Sequence, residues 1–140
     1  MKKKAIIISI KGLRLTTKEK LLLSNEGPWG IILFKRNIKS FTQIQSLIKD
    51  IKKLTKNKNF PILIDEEGST VTRLSNIINH NVSANYFGNL YLINEKLCIQ
   101  LYKKYLDTLC KCLKNIGLNI NTIPVLDVLR AKTSSVIGTR

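Results

Sequence analysis

The chain has 140 residues, the size of one ordinary domain, and its 44% hydrophobic content is enough to form a buried core. This composition excludes an intrinsically disordered chain. The formal charge of +15 at pH 7 raises nucleic acid as a partner. Nineteen of the 24 basic residues are lysine, however, whereas base and phosphate readout favours the planar arginine fork. We therefore interpret the charge as solvated lysine-rich faces, and a nucleic-acid-binding module stays as the alternative.

The cysteines and the N-terminus indicate a cytoplasmic protein without a metal or cofactor. Cys98, Cys110 and Cys112 have no spacing that suits zinc or a disulfide framework, so we expect ordinary buried or half-buried thiols on a helix. The apolar run at residues 5–10 is too short for a signal peptide. No stretch approaches the roughly 18 apolar residues of a membrane span, so we expect no membrane association.

The first half of the chain predicts two strands and two helices. Residues 5–10 are a continuous aliphatic run, the pattern of a strand buried on both faces. Thr16 or Thr17 can cap a short helix, and residues 30–34 form a second buried strand. Ser40 then begins a helix whose apolar residues recur at three- and four-residue steps: Phe41, Ile44, Leu47, Ile48, Ile51 and Leu54.

The second half predicts two further strands, residues 60–64 and 120–126, on either side of a long helix. This helix begins near Asn94 and ends at Gly117, and its expected core residues are Leu97, Leu101, Leu109 and Leu113. Strands alternate with helices, the apolar strand patterns indicate burial on both faces, and the connections are short. The sequence therefore predicts a parallel α/β sheet, either open or closed into a barrel.

Acidic residues follow two of the predicted strands. Asp65, Glu66 and Glu67 follow the third strand, and Asp127 follows the fourth. In open α/β sheets and in barrels, functional residues collect at the carboxyl ends of the strands. Carboxylates at that edge can bind sugar hydroxyls or a metal, and they can equally cap the amides of the loops. The spacing alone leaves both interpretations open.

Four stretches, in unbroken order from about residue 5 to the last residue, resemble one known family. They are GLRLTTKEKLLL, GIILFKRNIKS, IDEEGSTVTRL, and NINTIPVLDV with SSVIGTR. The third is similar to a D-Q-E-G-G-x-V-x-R-L signature. Together they resemble the N-terminal barrel domain of glycoside hydrolase family 3, in its bacterial β-N-acetylglucosaminidase (β-hexosaminidase) subgroup. The resemblance implies that residues 1–140 form about half of a (β/α)₈ TIM-type barrel with parallel strands.

The resemblance also implies roles for individual residues. Asp65, Arg73 and Arg140 would bind an N-acetylglucosamine-containing saccharide from cell-wall fragments. Glu67, Gly68 and Asp127 would support the site, with Gly68 allowing a tight turn after the strand. A carboxylate accepts two sugar hydroxyls, and arginine donates several hydrogen bonds in a fixed orientation. The resemblance implies no metal and no cofactor.

Several positions depart from the family pattern. Glu66 stands where the family has glutamine, Ser69 where it has a second glycine, and Thr139 where it has aspartate. His80, the only histidine, matches neither catalytic role.

The family's nucleophilic aspartate and its acid/base histidine come later in the barrel than these 140 residues, so we expect no catalytic residue here. Three hypotheses follow: a truncated β-N-acetylhexosaminidase that a second chain completes, a non-catalytic remnant of that enzyme, or the nucleic-acid-binding module. An incomplete barrel would also leave open sheet edges and exposed apolar surface.

Overall fold

A parallel sheet of four strands organises the described part of the chain. The computed structural model describes residues 3–128 and 130–134. The strands are β1 (Lys4–Ser9), β2 (Pro28–Leu33), β3 (Ile62–Ile64) and β4 (Ile120–Asn121), and they lie side by side in chain order. The helices are α1 (Thr17–Asn25), α2 (Phe41–Leu54), α3 (Ala84–Ile93) and α4 (Glu95–Ile116), with a 3-10 helix at Lys35–Asn37. This arrangement confirms the predicted parallel α/β fold.

Helices α1, α2 and α4 pack against one face of this sheet. On β3, Ile62 and Ile64 are fully buried in the hydrophobic core, whereas Leu63, which points to the opposite face, is not part of it. The buried helix residues of this core are Leu23 from α1, Ile44, Leu47, Ile48 and Ile51 from α2, and Leu109, Leu113 and Ile116 from α4. We call the opposite face, on the side of Leu63, the inner face.

The first strand differs from the prediction that all strands are buried on both faces. Ile6 is 50% exposed and Ile7 is 44% exposed, although β2 and β3 are largely buried. The physical reason is position: among the described residues β1 pairs only with β2 and forms one edge of the sheet. The expected open edge and exposed apolar surface are therefore present.

The first two helices begin where the sequence predicts. Of the two alternatives at α1, Thr16 is the cap: its Oγ1 accepts from the Glu19 amide, and the Glu19 carboxylate accepts from the Thr16 amide at 2.7 Å. Burial raises the pKa of Glu19, but hydrogen bonds from the Thr16 and Lys11 amides outweigh it, so this pKa lies below its usual value. Ser40 caps α2 by accepting from the Gln43 amide.

The second half of the chain departs more from the prediction. Helix α3, capped by Ser83, was not predicted, and the connection from β3 to it spans residues 65–83, which is not short. Strand β4 ends at Asn121, not at residue 126. Helix α4 has the predicted caps, but Leu97 and Leu101 are 42% and 39% exposed, so only its C-terminal half joins the core.

The cysteines of α4 follow the expectation only in part. Cys98 is buried and Cys112 is half-buried, as expected, whereas Cys110 is exposed. Burial and the charge of Glu66 raise the pKa of the Cys112 thiol. In the described part of the chain, no helix combines the length and the apolar character that crossing a membrane requires.

A tight turn follows β3 at Gly68 and Ser69. The amides of Glu67 and Gly68 both donate to the Val71 carbonyl, and the Val71 amide donates back to Gly68. Gly68 has φ +89°, and a Cβ there would lie 2.2 Å from the Val82 carbonyl oxygen, so the expected need for glycine is confirmed. Ser69 has φ +51°, a left-handed conformation that costs a residue with a Cβ about 1–2 kcal/mol.

Replacing Gly117 by alanine should destabilise the protein. Gly117 ends α4 with φ +103°, and a Cβ there would approach Ile48 Cγ2 to 3.0 Å. We expect Gly117→Ala to lower the free energy of unfolding by about 1–3 kcal/mol, measured by urea denaturation. Gly88→Ala is the matched control, because Gly88 lies inside α3 with no atom near its missing Cβ. It should raise stability by about 0.5–1 kcal/mol, and equal effects of both variants would contradict the analysis.

Replacing Ser69 by glycine should relieve the strain of the turn. We expect Ser69→Gly to raise the free energy of unfolding by up to about 1 kcal/mol, because glycine adopts positive φ without steric cost. Ser46→Gly, at an exposed position inside α2, should instead lower it by about 0.5 kcal/mol. A loss of stability in Ser69→Gly would show that the serine side chain contributes more than the strain removes.

Candidate functional site

The candidate site lies at the carboxyl ends of β2, β3 and β4, where three side chains meet. Asp65 follows β3 directly, and its carboxylate accepts a hydrogen bond from Thr122 Oγ1 at 2.7 Å. Its other oxygen lies 3.5 Å from the guanidinium of Arg73. Asp65 and Arg73 are eight residues apart in the chain, and the turn at Gly68 brings them together. The structure therefore places two of the three predicted substrate-binding residues side by side.

Arg73 is positioned without being fully hydrogen-bonded. Its guanidinium carbon lies 5.6 Å from the centre of the Phe34 ring, where Arg36 also stacks at 4.6 Å. Its contact to Asp65 is at the long limit of a hydrogen bond, and its buried Nε has no partner among the described residues. The contacts of the described residues therefore do not use all the donors of this guanidinium.

Glu66 points to the other side of the strand and is fully buried. Its oxygens are contacted by four groups: the Thr72 hydroxyl at 2.6 Å, the Arg73 amide at 2.7 Å, the Leu74 amide at 2.9 Å and His80 Nε2 at 2.8 Å. We call these five residues the Glu66 network. Of the two interpretations of the acids, amide capping is correct for Glu66, whereas Asp65 contacts a hydroxyl and a guanidinium.

The three predicted supporting residues line a small cavity of about 80 Å³. Glu67, Gly68 and Asp127 form part of its wall, and Phe87, Tyr102 and Tyr105 are its aromatic residues. Burial, the charge of Glu66 and Tyr102 raise the pKa of Tyr105. Asp65 and Arg73 do not line this cavity.

The prediction that Asp127 lies at the end of the fourth strand is wrong. Because β4 ends at Asn121, Asp127 lies in the irregular segment beyond it and is exposed. Pro124, which lacks a backbone N–H, stands in the segment that was predicted to be strand, and the Ile123–Pro124 peptide bond is cis. Arg140, the third predicted substrate-binding residue, and Thr139 lie outside the described residues.

Sequence reasoning missed the roles of Glu66 and His80. Strand alternation could have placed Glu66 on the same face as Ile62 and Ile64, but no sequence pattern indicates which groups donate to it.

Among the described residues no group of three or more histidine, cysteine or acidic side chains could bind a metal ion. The arrangement of Asp65 and Arg73 is suited to a neutral polyhydroxylated ligand, because the carboxylate accepts hydrogen bonds from hydroxyl groups while the guanidinium donates to ligand oxygens.

Curated proteins similar to this chain include β-hexosaminidases. No protein-family model matches it. A β-hexosaminidase of Nitrosomonas eutropha is 31% identical over 135 residues, and one of Thioalkalivibrio sulfidiphilus is 29% identical. Both matches cover 96% of this chain but only 38% of the relative, so the chain spans about two-fifths of the length of these relatives.

Solved structures give the same result. The crystal structure of NagZ from Neisseria gonorrhoeae in complex with N-trifluoroacetyl-D-glucosamine is 28% identical, with a TM-score of 0.79 over 90% of this chain and 37% of that one. A glycoside hydrolase family 3 β-N-acetylglucosaminidase from Paenibacillus sp. is 25% identical, with a TM-score of 0.77 over 87% of this chain and 23% of that one. The four-stranded parallel sheet thus has the architecture of part of the TIM-type barrel of NagZ, and the chain is similar to about two-fifths of the length of bacterial β-hexosaminidases.

Proposed function

We propose that this chain supplies the first strands and part of the saccharide-binding site of a β-N-acetylhexosaminidase. The reaction would be hydrolysis of terminal N-acetylglucosaminides from cell-wall fragments, in the cytoplasm. The observation that carries the proposal is the placement of Asp65 beside Arg73 at the carboxyl end of β3. The same edge of the sheet is where enzymes of the barrel fold bind their substrates.

The two residues would bind complementary parts of one sugar. The Asp65 carboxylate would accept hydrogen bonds from sugar hydroxyls while Thr122 keeps it oriented. Arg73 would donate to the ring substituents, and its stacking on Phe34 limits the directions that its guanidinium can take. Arg140 would add a third contact by family resemblance. Glu67, Gly68 and Asp127, which line the neighbouring cavity, would support the loops that follow β3 and β4.

Hydrolysis by a retaining mechanism needs a nucleophile and an acid/base on opposite sides of the scissile bond. By the resemblance, neither lies in residues 1–140, so activity would require the remainder of the barrel in addition to these residues. The exposed apolar side chains of β1 support the need for that remainder, because a further strand beside β1 would cover them. The left-handed Ser69 favours a second candidate, a remnant of the enzyme that has lost activity.

Asp65→Asn tests the proposed function. An amide retains the shape of the side chain but removes the charge and one of the two oxygens that accept hydrogen bonds from sugar hydroxyls, so we expect activity about 10²–10³-fold lower. The chain would be produced together with the fragment of a β-hexosaminidase that lies beyond the matched segment, and release of 4-nitrophenol from its N-acetyl-β-glucosaminide would be measured. Asp50→Asn, at an exposed position of α2, is the matched control.

The outcomes separate the candidates. Activity of the pair that Asp65→Asn lowers by this factor and Asp50→Asn leaves unchanged supports the proposal. A folded pair without hydrolysis, and without binding of N-acetylglucosamine by the chain, would favour the remnant. Binding of nucleic acid that weakens steeply with salt would instead favour the basic module.

A further inference from the structure

We propose that Glu66, paired with His80, is a positioning residue that fixes Arg73 beside Asp65. This inference rests on the function proposed above, since it concerns the same saccharide site. The D-Q-E-G-G signature that the chain resembles has glutamine at this position, so the negative charge is a feature of this chain.

The carboxylate directs both of its oxygens at one loop. Oε2 accepts from the amides of Arg73 and Leu74, and Oε1 contacts the Thr72 hydroxyl and His80 Nε2. Each oxygen therefore has two partners, which is what a fully buried carboxylate requires in the absence of water. Because the partners come from residues 72–74 and 80, the carboxylate fixes the loop where Arg73 lies.

The backbone of Glu66 is itself fixed to the neighbouring strand. Its amide donates to Asn121 Oδ1 at 3.0 Å, and its carbonyl accepts from Asn121 Nδ2 at 3.1 Å. Two adjacent residues at the end of β3 thus contact the two ends of one arginine: Glu66 accepts from its amide, and Asp65 faces its guanidinium. A shift of Glu66 would displace Arg73 from Asp65.

The proton on His80 distinguishes this network from one built on glutamine. With a carboxylate, His80 Nε2 donates, so it carries a proton. Oε2 accepts from the backbone amides of Arg73 and Leu74, which can only donate. In Glu66→Gln, the side-chain amide oxygen can take the place of Oε2. The amide NH₂ then faces Thr72 Oγ1 and His80 Nε2, which must accept. His80 can accept through Nε2 only if its proton moves to Nδ1, an atom that is buried without a partner among the described residues.

Nuclear magnetic resonance of the full ¹⁵N-labelled chain can test both statements without any saccharide. His80 is the only histidine, so its ring nitrogens give a single set of signals. Three readouts are needed: the protonated ring nitrogen of His80, the hydrogen-exchange rates of the Arg73 and Leu74 amides, and the nuclear Overhauser contact between the Arg73 guanidinium and the Phe34 ring. The variants are Glu66→Gln, Glu66→Ala and the control Asp50→Asn.

In the unsubstituted chain and in Asp50→Asn, we expect a proton on Nε2, protected amides and the contact between Arg73 and Phe34. Glu66→Gln should move the proton to Nδ1 while the amide exchange rates stay within about threefold. Glu66→Ala should accelerate exchange of both amides at least about tenfold and remove the contact, because the acceptor is lost. An unprotonated Nε2 in the unsubstituted chain, or an Arg73 that stays in place in Glu66→Ala, would overturn the inference.

If Glu66→Ala does not fold, Glu66→Gln decides: an unchanged ring tautomer, or exposed Arg73 and Leu74 amides, refutes the arrangement. Titration with N-acetylglucosamine separates this inference from the proposed function. Binding that weakens at least about tenfold in Glu66→Ala but less than about threefold in Glu66→Gln supports positioning. If the unsubstituted chain binds no saccharide while the spectra change as expected, the proposed function fails and the positioning of Arg73 by Glu66 stands.

Discussion

The alternation of side chains along β3 determines the arrangement of the candidate site. Ile62 and Ile64 face the helices, so the next residue of that set, Glu66, enters the same buried layer. Leu63 faces the inner side, and Asp65 continues that set to the open edge. A shift of one residue in register would exchange the faces of the two acids. Asp65 would then be buried in the core, and Glu66 would face the place where the sugar is proposed to bind.

Burial then explains why the two acids have different partners. Glu66 has no contact with water and is surrounded by backbone amides, a hydroxyl and an imidazole, which together stabilise a charge in the core. Asp65 is only partly buried and has one short hydrogen bond, from Thr122. Its second oxygen lies 3.5 Å from the Arg73 guanidinium, the long limit of a hydrogen bond, so it can accept a new donor without leaving a buried group unpaired.

Local signals predicted the elements whose ends depend on single residues. Thr16, Ser40, Asn94 and Gly117 each satisfy backbone groups within a few residues, so the sequence marks those helix ends. Helix α3 escaped prediction because residues 84–93 have no clear apolar stripe and contain Gly88. The short β4 and the position of Asp127 depend on how residues 122–128 leave the sheet, which no local pattern fixes.

The candidate site was predictable only in part for a similar reason. Asp65 and Arg73 could be singled out by their resemblance to a signature, but their contact depends on the turn between them. The donors to Glu66 come from up to 14 residues away along the chain, and only the folded loop brings His80 to the carboxylate. Long-range hydrogen bonds of this kind have no sequence period that could reveal them.

The strained turn and the Glu66 network are best understood together. A non-glycine residue with positive φ persists only where the surrounding structure fixes it, and Ser69 lies between two such constraints. On one side, Gly68 packs against the Val82 carbonyl and bonds to Val71; on the other, the Glu66 network fixes residues 72–74. The energy cost at Ser69 is thus offset by hydrogen bonds to a buried charge, and the same bonds determine where Arg73 lies.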